Sequence, residues 1–435
     1  MPANDVGRAW YFVGLLMLAN LSGFIDRLIL ALLAPAIRRD LGLSLTETGI
    51  LIGLPFSVFY AIAGLPIARV ADRSSRRNII AIGVALWSVM TAVCALAGSF
   101  WRLLWARVGV GVGEASLQAP ATSLIADLFP RERLSTAMSV YAMGVFLGSG
   151  LAYFIGGWVV GLVSDQTLWT LPVLGTIRPW QTAFLIVGLP GLLIALLMFT
   201  VKEPERKATV NGTLPLSAVF RYMKENARAF GFVISGYTFS SAVNYGIAIW
   251  LATFLTEIHG WPVSRAGMVQ GVLTMSIGTI GVLAGGRLAD RLARRGHMDA
   301  PLRVAMIGAA GMLVSATAYA LVDSIEAVIA WLAVVNLFAA FPWGAAGTAV
   351  AESVPASMRA QGAAVFYFVL NLVPFALGPW AVGAVTDYVF GRDDALGLAL
   401  ASVNIVGMAL AIILFAMGLR AYRETVARRD SWRPS

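Results

Sequence analysis

One pattern recurs about a dozen times along the chain: some twenty mostly apolar residues, a short polar break, then another apolar run. A helix rises about 1.5 Å per residue, so about 20 such residues cross a hydrocarbon core about 30 Å thick. Backbone groups inside lipid must be satisfied within their own segment, so runs of this length become helices. They fall at 10–33, 48–69, 78–98, 102–125, 134–160, 181–200, 229–256, 265–287, 303–322, 325–350, 359–386 and 397–420. Only 13% of the residues are charged, against about 25% in a soluble domain. The expected fold is an all-α membrane protein of twelve transmembrane helices. The first run is too long for the h-region of a signal peptide, carries charges and lacks a convincing cleavage site, so it is expected to stay as a span. The longest polar break, Lys202 to Arg228, reads as a linker with a short surface helix from Leu214.

Charge orients these spans. The net charge is +9, which in a soluble protein would suggest nucleic acid. Here the positive residues border apolar segments, so a membrane reading accounts for them and no nucleic-acid partner is expected. With the N-terminus inside, 24 of the 32 Lys and Arg fall in inner segments and six in outer loops, while Arg27 and Arg107 lie within spans. That asymmetry places both termini in the cytoplasm, in the cell (inner) membrane, and requires an even number of spans.

Several classes drop out. Two His and one Cys leave no disulfide framework and no zinc site of the usual spacing; Cys94 reads as a small core residue. No metal or cofactor is expected. There is no H-E-x-x-H, no G-x-S-x-G and no Walker motif, so neither a lipid-modifying enzyme nor an ATPase is expected, and the energy source would be an ion gradient. Gly109, Gly111 and Gly113 form G-x-G-x-G inside a span with no preceding strand; they read as close packing of helix four against helix one, not as a nucleotide fingerprint. Prolines 55, 66, 120, 190, 342, 374 and 379 are expected flex points.

The chain also repeats at half its length. "ARVADRSSRR", Ala68 to Arg77, returns as "GRLADRLARR", Gly286 to Arg295. "IADLFPRERLSTAMSVY" returns as "VAESVPASMRAQGAAVFY", with Asp127 matching Glu352 and Pro130 matching Pro355. Two pseudo-symmetric six-helix bundles follow: 1–201, the linker 202–228, and 229–435. Parallel repeats of this kind hold a substrate site at their interface near the midplane.

These two loops resemble the signature of the major facilitator superfamily, G-x-L-A-D-R-x-G-R-R. The second copy has Ala293 at the second glycine position, and the first has Ala68 and Ser75 where the family usually has glycine. The resemblance covers the whole chain. It implies a rocker-switch transporter in which the loop Asp pairs with a helix end and a nearby Arg to latch one conformation. The latch residues carried over are Asp72, Arg73, Arg76, Arg77, Asp290 and Arg291. "FIDR" in helix one and "RVGVGVGEA", Arg107 to Ala115, in helix four are similar to the spinster branch, whose animal members move sphingolipids and lysophospholipids. A fourth-helix Arg with Gly-x-Gly-Glu-Ala also occurs in organic-anion symporters of the superfamily. The fifth helix lacks the Gly-Pro of drug antiporters; Gly378-Pro379 stands instead in helix eleven.

Four ionisable residues lie well within spans: Asp26, Arg27, Arg107 and Glu114. A charge at the helix centre costs roughly 2.5–3.5 kcal/mol on insertion scales, so such residues read as functional. At 1.5 Å per residue, Asp26 lies about 24 Å along helix one from the inside and Arg107 about 8 Å along helix four from the outside, depths that coincide. An Asp26–Arg107 ion pair is therefore expected. Glu114 is two turns further on the same face, near the midplane. A carboxylate held in a low-dielectric cavity is poised to bind and release protons, which makes Asp26 and Glu114 the proton-coupling candidates. Arg27 points about 100° from Asp26 and would anchor an anionic headgroup. The seventh helix offers instead Tyr237, Ser240, Ser241, Asn244 and Tyr245; helix ten adds Asn336, Phe341 and Trp343, and helix eleven Tyr367 and Asn371. Arg27, Arg107, Tyr237, Asn244, Tyr245, Tyr367 and Asn371 are the expected substrate-binding residues. One wall charged and the other aromatic suits an amphiphile. The expected function is proton-coupled transport of a lysolipid- or sphingolipid-like substrate by a monomer in the lipid bilayer; the alternative is proton-coupled symport of small organic anions.

Overall fold

The computed structural model describes residues 3–71, 74–129, 131–164, 169–171, 175–204, 216–355 and 358–432. Sixteen α-helices run through them: α1 (Ala3–Leu41), α2 (Leu45–Ala71), α3 (Arg76–Cys94), α4 (Phe100–Glu114), α5 (Gln118–Leu128), α6 (Arg131–Ser164), α7 (Pro179–Met198), α8 (Leu216–Glu225), α9 (Ala227–Thr253), α10 (Val263–Leu273), α11 (Thr279–Arg294), α12 (Ala300–Leu321), α13 (Ile325–Ala340), α14 (Trp343–Ala351), α15 (Arg359–Ala384) and α16 (Leu396–Arg428). π-helical turns at Phe254–Ile258, Thr274–Gly278 and Val385–Phe390 extend α9, α10 and α15.

All twelve expected spans coincide with helix. By length and composition, ten helical segments among the described residues are apolar enough to cross a membrane. The other two expected spans are α6, whose apolar described stretch is the shorter Gly148–Leu162, and the fourth, which splits into α4 and α5. Pro120 has no N–H to offer the Ser116 carbonyl, so the helix breaks at Ala115–Leu117 and restarts. The linker's surface helix is α8, starting two residues later than expected. The connection after α6, expected as loop, contains a short antiparallel hairpin, β1 (Trp169–Leu171) with β2 (Gly175–Ile177), in register Thr170 opposite Thr176.

Local chemistry marks the helix ends. Ser44 and Glu47 form a reciprocal capping box at the start of α2: the Glu47 N–H donates to Ser44 Oγ at 3.1 Å and the Ser44 N–H to Glu47 Oε2 at 2.9 Å. Ser75, Ser99 and Ser324 accept first-turn N–H groups of α3, α4 and α13. Gly42, after α1, has φ +65°, the left-handed conformation that stops a helix cheaply.

The chain forms two compact units. Unit 1 is Met1–Ala208 with Ile249–Met275; unit 2 is Thr209–Ala248 with Ser276–Ser435. In unit 1, α1 packs on α6 and α7, α3 on α4 and α7, α2 on α4, and α10 on α6. In unit 2, α12 packs on α16 and α13, and α11 on α13 and α14. Large apolar side chains face outward in both: Trp101, Trp105 and Leu196 in unit 1, Val314, Val406 and Met417 in unit 2. Such surface is stable against hydrocarbon, not water.

Candidate functional site

The site of buried charge is built in unit 1 by glycines on α4. A Cβ on Gly111 would lie 2.9 Å from the Phe56 carbonyl oxygen, and one on Gly113 would lie 2.7 Å from the Trp87 nitrogen. Gly109 gives the same room to Met90. These glycines therefore seat α4 against α2 and α3, not against α1 as expected. The space between α1 and α4 is left to long polar side chains.

Arg27 and Glu114 close that space. Arg27 Nε donates to Glu114 Oε2 at 2.6 Å and Nη2 lies 2.5 Å from the same oxygen. The Glu114 side chain is 2% exposed and that of Arg27 23%. Three rings surround the guanidinium, with centroids at 4.6 Å (Phe56), 5.2 Å (Phe24) and 5.6 Å (Tyr60), within the range of cation–π attraction. Gly23, one turn before Arg27, leaves room for the carboxylate: a Cβ there would lie 3.3 Å from Glu114 Oε2.

The expected Asp26–Arg107 ion pair does not form. Depth was read correctly, because Arg107 Nη1 donates to the Asp26 backbone carbonyl at 3.1 Å. The carboxylate of Asp26 has no hydrogen-bond partner, although the residue is fully buried. Direction explains the exchange of partners. Cα–Cβ bonds tilt toward a helix's own N-terminus. Arg27 therefore leans toward the start of α1 and Glu114 toward the start of the opposed α4, and the two long side chains meet. Asp26 is too short to follow.

At the end of unit 1 where α3 begins lies a second charge cluster. Arg76, 3% exposed, donates through Nη1 to Asp127 Oδ2 at 2.5 Å and to Ser123 Oγ at 2.8 Å. Its backbone N–H and Nε both donate to Glu203 Oε1, at 2.9 and 3.3 Å, and the Ser75 hydroxyl donates to Glu203 Oε2. Partial burial pushes the Glu203 carboxyl up, but these hydrogen bonds and the Arg76 charge outweigh it and hold the group below its usual range. Arg77 donates to the Val201 carbonyl at 2.9 Å and lies over Phe199. Asp72 and Arg73 lie outside the described residues. Asp290 and Arg291 are exposed at the end of α11, and no ion pair among the described residues includes them.

In unit 2, Tyr237, Ser240, Ser241 and Asn244 line one small cavity with Trp343 and Met408. Tyr237 is buried edge-on against Phe366 and Phe415, and its hydroxyl has no hydrogen-bond partner. Tyr245 packs instead on Phe375, 5.1 Å between centroids. Tyr367 is 37% exposed. The side chain of Asn371 lies outside the described residues.

Sequence reasoning missed three features. Phe56 and Tyr60, spaced i,i+4, with Phe24 at i−3 from Arg27, were a legible aromatic face. Arg38 pairs with Glu257 at 3.0 Å within unit 1, across 219 residues of sequence that no spacing rule connects. Asp299, 1% exposed, pairs with Arg303 at 2.7 Å and Arg423 at 3.7 Å; its i,i+4 relation to Arg303 was the available signal.

Comparison with known proteins agrees with this architecture. Residues 15–298 match the Major Facilitator Superfamily. An "MFS-type efflux pump" of Mycolicibacterium smegmatis is 31% identical over 424 residues, 95% of this chain and 90% of that protein. Protein spinster homolog 1 of Mus musculus is 28% identical over 404 residues, 88% of this chain and 74% of that protein. A crystal structure of a bacterial homolog to the human lysosomal transporter Spinster, inward-facing and unoccupied, superposes with a TM-score of 0.81 at 27% identity, covering 98% of this chain and 99% of that one. The chain thus belongs to the major facilitator superfamily, as a multi-pass membrane transporter of the spinster type and not an enzyme.

Proposed function

We propose that this transporter moves an amphiphilic, lipid-like substrate of lysolipid or sphingolipid type by alternating access, driven by protons. The observation that carries the reading is the Arg27–Glu114 pair inside its ring of Phe24, Phe56 and Tyr60. An ion pair in a water-poor site is held by the charge on both partners. A proton on Glu114 removes one charge and releases the guanidinium, which is then free for a phosphate or carboxylate headgroup. Conversely, an anionic headgroup on Arg27 displaces Glu114 and favours its protonation. Proton and substrate thereby act on one element, which is what coupling requires. Asp26 is the second protonation site, and Arg107 holds the α1 backbone at Asp26 in place. Tyr237, Asn244, Tyr245, Tyr367 and Asn371 form the less charged wall of the proposed substrate path. Arg76 and Arg77, with Asp72, Arg73, Asp290 and Arg291, are the proposed latch. No cofactor beyond the proton enters this scheme. The protein works as a monomer in the cell (inner) membrane with both termini cytoplasmic.

The test is uptake of a fluorescent lysophospholipid into proteoliposomes under an imposed pH gradient. Glu114→Gln and Asp26→Asn should abolish gradient-driven uptake; unchanged uptake in both sinks the coupling assignment. Symport of small organic anions is the competing reading, in which the same arginines hold a carboxylate. The aromatic ring around Arg27 favours the amphiphile, and thermal stabilisation by small acids but not by lysolipids would reverse that choice.

A further inference from the structure

The junction of α1, α3 and α7 concentrates polar groups that the Arg27–Glu114 pair does not use. Asp26 is fully buried and both carboxylate oxygens lack a hydrogen-bond partner. Ser88 and Thr91, one turn apart on α3, are also fully buried with unpartnered hydroxyls. The Thr91 hydroxyl faces the Asp26 carboxyl without closing a hydrogen bond to it. Arg107 adds two unpartnered donors, Nε and Nη2. Ser22 stands one turn before Asp26, on the same face of α1.

Helix α7 packs closely against this face. A Cβ on Gly191 would lie 2.0 Å from Ser88 Oγ and 3.4 Å from Ser22 Oγ, and one on Gly188 would lie 3.1 Å from Thr91 Cβ. Two glycines three residues apart thus let α7 press against α3 while leaving the Ser88 hydroxyl its place in the junction. The charged and titratable groups that face Asp26 are Arg107 and Glu114 from α4, Arg27 from α1 and the Cys94 thiol from α3. Helix α7 carries no ionisable residue, and beyond its first turn α6 carries only the phenols Tyr141 and Tyr153.

Donors and acceptors therefore stand in one buried place without touching. A buried polar group that finds no partner bears its full desolvation penalty. Water resolves this arrangement, since it donates to the carboxylate and accepts from hydroxyl and guanidinium N–H, and buried waters typically make about three such bonds. We propose that the α1–α3–α7 junction binds a short file of ordered water that joins the Asp26 carboxyl to Thr91, Ser88 and Ser22 and carries protons to and from Asp26, apart from the Arg27–Glu114 pair. This rests on the proton-coupling reading above. In each transfer a water O–H bond breaks as a carboxyl O–H bond forms on Asp26. Each intervening hydroxyl accepts one proton and passes on another, so Ser88 and Thr91 are unchanged and no electrons move. Both are positioning residues.

Two measurements test it. The first is hydroxyl-radical footprinting of the purified transporter by synchrotron radiolysis, which needs no substrate. Cys94, fully buried beside Asp26 and Arg107, should be labelled in the wild type, and Gly191→Ala, whose Cβ displaces the Ser88 hydroxyl, should cut that labelling. Absence of Cys94 labelling in the wild type overturns the water file whatever the substrate. The second compares pH-driven uptake of a fluorescent lysophospholipid with its exchange at zero gradient. Ser88→Ala and Thr91→Val should lower driven uptake by about a hundredfold, the low end of what one proton-transfer group supplies, and leave exchange within about twofold. Thr91→Ser should keep both. Equal losses in the two assays, or none, overturn the relay while leaving coupling through Glu114 intact. A wild type that exchanges substrate but ignores the gradient removes the coupling reading and the relay with it.

Discussion

Arg27 on α1 and Glu114 on α4 share one carboxylate oxygen, with Arg27 Nε at 2.6 Å and Nη2 at 2.5 Å, while their neighbours Arg107 and Asp26 meet only through a backbone carbonyl. The first contact consumes two formal charges, and the second leaves the Asp26 carboxylate outside any pair. Removing one partner of a buried pair typically costs about 3–5 kcal/mol, and the partial exposure of Arg27 moves the expectation for Glu114→Leu or Arg27→Met to about 2–4 kcal/mol. The double replacement should recover most of that loss, because it strands no charge. Chemical unfolding in detergent micelles measures all three; a double variant as unstable as the sum of the singles would contradict the pairing.

The glycines of α4 make a second expectation concrete. Gly111→Ala places a methyl 2.9 Å from the Phe56 oxygen, and Gly113→Ala one 2.7 Å from the Trp87 nitrogen. Both neighbours are backbone atoms that cannot swing aside, so each change should destabilise by about 1–3 kcal/mol. Gly14→Ala and Gly64→Ala meet nothing within 4 Å. They should be neutral or gain about 0.5–1 kcal/mol from better helix propensity. Thermal melts of the four variants should fall into these two groups.

How far the sequence reached is plain at these same residues. Run length was enough for the helices, because bilayer thickness imposes it. Depth was legible too, since rise per residue is constant, and Arg107 does meet α1 at Asp26. The partner was not, because pairing depends on side-chain lean and reach across two opposed helices, which periodicity does not encode. The glycine run on α4 read correctly as close packing but was assigned to the wrong neighbour; nothing in one helix's sequence names the helices beside it. The α4–α5 break at Ala115–Leu117 was signalled by Pro120. The Arg38–Glu257 pair joins segments that only the folded chain brings together.

Beside the start of α3, Glu203 links acidity to stability. Its carboxyl sits below the ordinary range because Ser75 and Arg76 hold the charged form more than burial disfavours it. A depressed native pKa stabilises the fold above the unfolded value, about 4.3 for Glu, and that contribution fades as pH falls through the lower native value. Glu203→Gln should therefore lower the melting temperature at pH 6 and make progressively less difference below about pH 4.3. Melts of wild type and variant across that range give the answer; a gap that stays constant with pH would show that Glu203 acts by packing alone.

Arg38, in the last turn of α1, and Glu257, in the π-helical turn after α9, form another long-range ion pair of unit 1, at 3.0 Å with side chains 14% and 20% exposed. It ties Phe254–Ile258 to α1 at the end of unit 1 where α6 and α10 are already pressed together: a Cβ on Gly157 would lie 2.6 Å from the Ser264 oxygen, and one on Gly271 would lie 2.6 Å from the Gly150 oxygen. A partly buried charge-assisted hydrogen bond should couple the two residues by about 0.5–3 kcal/mol in a double-mutant cycle. Arg38→Glu and Glu257→Arg should each loosen the turn, seen as faster amide hydrogen exchange across Phe254–Ile258, because local opening follows the contacts that hold a segment. The charge-swapped double variant should restore protection, since it rebuilds the pair with its polarity reversed. Failure of the swap to restore protection, with each single variant folded, would mean that the glycine-packed helices hold this end without the ion pair.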